Sequence, residues 1–163
     1  MSAARIADLA ERAAAYRSVE LTLFGALGSW ATEGGELSGF LATRCHRHAW
    51  HAELWAGRFP LIPGRSLPDP DPHPGLRDAL AQLTGDTARL VAVYRAVIPR
   101  LAVSYQAYGA RLDELTDGPT VRVVELCRRD VVDDWAAGES LVQRQLTDAA
   151  AIRAASEAQI ALE

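Results

Sequence analysis

Apolar residues recur along this chain at alternating three- and four-residue intervals, the spacing that lines one face of an α-helix. Ile6, Leu9, Ala13, Tyr16, Leu23, Leu27 and Trp30 form a first stripe, and Leu37, Leu41, Cys45, Ala52, Trp55 and Phe59 a second. A third runs through Leu80, Leu83, Leu90, Tyr94, Val97, Leu101, Tyr105, Tyr108, Leu112 and Leu115. The fourth takes Val124, Cys127, Val131, Trp135, Gly138, Val142, Ala149 and Ile152. The stripes predict helices over about residues 3–32, 36–58, 76–115 and 120–155. Alanine is frequent throughout and favours helix. Pro99 falls inside the third helix, away from its stripe, and predicts a kink.

Three breaks separate the helices. Gly34-Gly35 reads as a tight turn. Residues 60–75 read PLIPGRSLPDPDPHPG and hold six of the chain's eight prolines, so neither a helix nor a sheet interior can run through them. Thr116-Asp117-Gly118-Pro119 combines a helix-closing glycine with a proline suited to a first helical position. The expected fold is all-α: one domain, a four-helix bundle with a long Pro-rich crossover between its second and third helices.

The polar residues that interrupt the stripes are the informative ones. Glu20 takes a core position in the first helix, between Tyr16 and Leu23, where a carboxylate without partners is expensive. His48 sits at the centre of the second stripe, and His51 lies one turn on at its edge. Glu20 lies 14 residues before Gly34, and His48 lies 14 after it, so a tight turn sets them level. Asp134 falls within the fourth stripe and Asp130 at its edge, with the buried-type tyrosines Tyr94, Tyr105 and Tyr108 on the helix before. His46, Glu53 and Asp133 point outward. The pattern places Glu20, His48, His51 and Asp134 in the middle of the bundle, with Asp130 close by.

The charge balance narrows the partners. Seventeen Lys and Arg face twenty-one Asp and Glu, for a formal charge of -4, which disfavours non-specific nucleic-acid binding. The longest apolar stretch, Leu21 to Ala31, is about half a membrane span. Asp8 and Glu11 near the start are unlike a signal peptide. Two cysteines make no disulfide framework, and a cytoplasmic setting is the simplest expectation. Trp50 and Leu54 lie on the outer side of the second helix and suggest a homodimer contact there.

These residues resemble the ferritin-like superfamily. Glu20, the His48-x-x-His51 pair and the carboxylates Asp130 and Asp134 stand where that superfamily keeps its di-iron ligands. Pro119-Thr120-Val121-Arg122, with Asp130 to Asp134 and Gly138-Glu139, is similar to the fourth helix of members of the tRNA-hydroxylase-related kind. The resemblance implies a metal site of Glu20, His48, His51, Asp130 and Asp134, backed by Tyr105 and Tyr108, for iron or manganese. The superfamily pattern is a Glu on each of two helices and Glu-x-x-His on the other two. Here His48 replaces one Glu, the third helix has none, and the fourth carries no histidine. The favoured expectation is a non-catalytic bundle with a degenerate di-metal site, its Glu, His and Asp forming a buried network. The alternatives are a metal-dependent oxidase or hydroxylase and a small-molecule-binding bundle lined by Tyr16, Tyr94, Tyr105, Tyr108, Trp30, Trp55 and Trp135.

Overall fold

The computed structural model describes residues 3–60, 73–147, 152–153 and 156–157; most of the Pro-rich crossover, Ala149 and much of the expected end of the last helix lie outside them. The described residues are helical, with no strand among them. They group into two compact units, Met1–Arg77 and Asp78–Glu163. No helix among the described residues is long and apolar enough to cross a membrane.

The first unit is an antiparallel hairpin of α1 (Ala3–Thr32) and α2 (Ser38–Ala56). Gly34 and Gly35 turn the chain with φ of +85° and +103°, a region that favours residues without a Cβ. Ala13, Tyr16, Leu23, Leu27 and Trp30 of α1 are buried, as are Leu41, Ala52 and Trp55 of α2. Tyr16 stacks on Trp55, with ring centroids 4.7 Å apart. Further toward the turn the helices approach closely: a Cβ at Gly28 would lie 3.0 Å from Cys45 Sγ, and that thiol donates to the Phe24 carbonyl at 3.4 Å. Cys45 is therefore half-buried, at the edge of its stripe.

Helix α3 (Pro74–Ala81) crosses the division between the units. The second unit then differs from the expected single helix over 76–115. Gly85, with φ +80°, interrupts that run, and α4 (Asp86–Val91) begins after it. The Arg89 Nε donates back to the Leu83 carbonyl at 3.2 Å and holds the break. From α4 the chain passes through a π-helical stretch, Ala92–Val97, into α5 (Ile98–Gly109). The irregularity expected at Pro99 sits on its N-terminal side. Proline lacks an N–H and its ring crowds the carbonyl four residues back, and a π turn just before it reroutes the hydrogen bonding.

The last turn also differs from expectation. α6 (Glu114–Gln145) starts before Thr116-Asp117-Gly118-Pro119 and runs through it. Asp113 is the reason. Its carboxylate accepts from the N–H groups of Leu115 and Thr116, both at 3.0 Å, while its own N–H donates to Asp117 Oδ2 at 3.1 Å. This reciprocal cap fixes the helix start five residues ahead of Pro119, where the missing donor affects only the opening turns. Leu115, expected in a core stripe, lies in that first turn and is 96% exposed.

Glycine contacts set the rotation of α6. A Cβ at Gly138 would run into the Tyr94 ring, and one at Gly109 would lie 3.2 Å from Val124 Cγ1. The buried line of α6 is consequently Thr120, Val124, Cys127, Val131, Asp134, Gly138 and Val142. Trp135 falls one residue off that line and is 40% exposed, against its expected place in the stripe, and Ile152 is also exposed. Arg95 and Glu139 close the pairing with two hydrogen bonds, 3.0 and 2.6 Å long.

Gly138→Ala should lower stability by about 1–3 kcal/mol, since the Tyr94 ring must shift to admit the methyl group. Gly25→Ala, where a Cβ meets nothing within 4 Å, should raise it by roughly 0.5–1 kcal/mol. Urea unfolding of both variants checks this; equal effects at the two sites would contradict the Tyr94–Gly138 packing.

Candidate functional site

Three of the residues singled out in the sequence meet inside the first unit. Glu20 reaches from the middle of α1 to His48 and His51 on successive turns of α2. His48 Nδ1 lies 2.5 Å from Glu20 Oε2, and His51 Nδ1 lies 3.2 Å from Oε1. An ionised carboxylate can only accept, so both rings carry hydrogen on Nδ1 and donate it. Each carboxylate oxygen has its own imidazole. The two rings stand edge-to-face, with centroids 6.0 Å apart and planes at 88°.

The cluster is dry. Glu20 and His51 have no exposed surface and His48 has 1%. Burial alone pushes the Glu20 carboxyl upward. The charge and hydrogen bond of His48, joined by those of His51, outweigh burial and bring it down to about 2. Glu20 therefore holds its negative charge at any ordinary pH. With both imidazoles neutral the cluster carries one net negative charge, and a second proton on either ring cancels it. Trp50 flanks the cluster, its ring centroid 6.0 Å from that of His51.

The other expected site residues belong to the second unit. Asp134 is fully buried on α6, and Asp130, one turn earlier, is half-buried. Tyr105 and Tyr108 are buried on α5. His46, Glu53 and Asp133 are exposed, as their phase on the helices requires. Arg44, near the histidine edge of α2, turns its guanidinium over the Phe40 ring at 4.1 Å.

No family model, curated protein or solved structure matches the chain. The chemistry of the site thus rests on its own geometry. The hairpin supplies one carboxylate, whose two oxygens already accept from imidazole donors. A di-metal centre of the ferritin-like pattern needs carboxylates able to bridge two ions, and the His48-x-x-His51 pair brings none. The residues of the hairpin depart from that pattern.

One polar network went unnoticed in the sequence: Arg95 with Glu139, to which Gln143 Nε2 adds a hydrogen bond at 2.6 Å. Its legible signal was the i,i+4 spacing of Glu139 and Gln143 on one face of α6. It is partly exposed and ties α6 to the π stretch.

The acid limb of stability follows from Glu20. Its folded carboxyl lies at about 2 against an ordinary 4.5, so its contribution is complete above pH 4.5 and vanishes as pH falls through 2. Relative to Glu20→Gln, the wild-type chain should lose on the order of 3 kcal/mol across that window. Chemical denaturation at stepped pH measures the difference; a constant gap between the two proteins would show that folding does not lower the Glu20 carboxyl.

Proposed function

We propose that the chain is a non-catalytic helical protein of the ferritin-like kind, in which Glu20, His48 and His51 form a buried ion-pair network where relatives of that kind carry metal. The observation that supports this most is the double acceptance at Glu20. Both carboxylate oxygens are engaged by Nδ1–H donors, so the charge that would attract an ion is satisfied by protons. Such a network sets helix register, since sliding α2 by one turn would strand a buried carboxylate and two imidazoles. The aromatic residues support packing over a ligand pocket: Tyr16 is spent on Trp55 and Tyr94 on Gly138.

A metal-dependent oxidase or hydroxylase is the second reading, and one observation favours it. Metal-binding histidines commonly donate one ring N–H to a carboxylate, which orients the other nitrogen toward the ion. Glu20 holds both rings in that manner, and imidazole nitrogens suit iron, manganese or zinc.

Metal analysis separates the two readings. Protein produced with iron, manganese and zinc supplied should carry far less than one ion per chain, and its melting temperature should not respond to those ions. A stoichiometric ion that is lost in His48→Leu and His51→Leu variants, with a melting shift that disappears alongside it, would replace the first reading with the second.

A further inference from the structure

One face of α6 has a feature that the packing of its own unit does not use. Arg122, Glu125, Leu126, Arg129, Val132 and Asp133 share this face at helical spacing and, with Arg128 at its side, line a surface hollow of about 430 Å³. Leu126 is half-buried and Val132 is 39% exposed, so the centre of the face is partly apolar. Glu125 and Arg129 are four residues apart, as are Arg129 and Asp133, the spacing at which a helix pairs opposite charges on itself. Yet Arg122, Glu125, Arg129 and Asp133 make no ion pair or hydrogen bond among the described residues.

The order of these four charges is self-complementary, and Arg128 stands outside the pairing. Turned end for end, Arg122 falls opposite Asp133 and Glu125 opposite Arg129. The midpoints of the two pairs are half a residue apart, within about 1 Å along a helix axis. A single register therefore satisfies both. We propose that this face pairs with the same face of a second copy of the chain, α6 against α6, antiparallel about a two-fold axis between residues 127 and 128. The symmetry doubles each pair, giving two Arg122–Asp133 and two Glu125–Arg129 contacts that surround Leu126 and Val132 of both copies. A two-fold contact of this kind closes on itself, so assembly stops at the dimer. Exposed ion pairs contribute little individually, and four of them fix orientation more than strength. The dimer is accordingly weak and sensitive to salt.

Sedimentation velocity on the full chain over a range of concentration and salt tests this. At low salt the particle should reach twice the 17.6 kDa chain mass, and it should return to the monomer as salt is raised. The double variant Arg122→Glu/Arg129→Glu leaves Arg128 as the one cation of the hollow beside four acids, and Glu125→Arg/Asp133→Arg makes it uniformly basic. Each should be monomeric alone, and an equimolar mixture should recover the dimer, which shows at once that both are folded. A wild-type chain that stays monomeric throughout would overturn the proposal. So would doubles that remain dimeric, or a mixture that fails to associate while both doubles keep wild-type circular dichroism. Loss of the dimer on Trp50→Ser, with both doubles still dimeric, would move the contact to the outer face of α2 and overturn it equally.

Discussion

A carboxylate with no contact to water has to find its hydrogen-bond donors inside the protein. Glu20 does so by accepting from two imidazoles at once, and the hairpin of α1 and α2 is arranged to make that possible. Desolvation opposes the charged form, and the two Nδ1–H donors outweigh it. The register of the hairpin follows from this requirement as much as from its apolar stripes. Trp55 against Tyr16 on one side and Cys45 against the Phe24 carbonyl on the other keep the helices at the spacing the cluster needs.

In the second unit the corresponding constraint is steric. Gly138 lets the Tyr94 ring sit directly on the α6 backbone, and Gly109 admits Val124 in the same way. These approaches fix which face of α6 turns inward. That rotation buries Asp134 and exposes Trp135, although either could have occupied the interior by hydrophobic spacing alone. It also determines the outward face, where Arg122, Glu125, Arg129 and Asp133 stand unused by their own chain.

The sequence made the hairpin legible because two independent signals agreed. Two adjacent glycines mark the turn, and equal counts outward from them set Glu20 level with His48. The later elements were harder to read. The stripe from Leu80 to Leu115 carried enough apolar residues to conceal the interruption at Gly85, whose signal was a single Thr-Gly-Asp turn. Gly118-Pro119 resembled a helix boundary by composition, but the reciprocal cap of Asp113 and Asp117 moved the boundary upstream. Trp135 was misplaced because periodicity tolerates an error of one residue, whereas the contact between Tyr94 and Gly138 does not. The π stretch before Pro99 has no spacing signature. It arises from how the chain accommodates a missing donor.

A site of this composition can serve two ends, holding a proton or holding an ion, and both require that Nδ1 of each imidazole donate to Glu20. Nitrogen-15 spectra of the histidine side chains report the placement of that hydrogen directly. The account predicts that, at neutral pH and in metal-free buffer, both His48 and His51 show a protonated Nδ1. Removing the carboxylate with Glu20→Gln should shift both signals. An unprotonated Nδ1 on either ring of the folded wild-type protein would contradict the claim that Glu20 accepts from two imidazole donors.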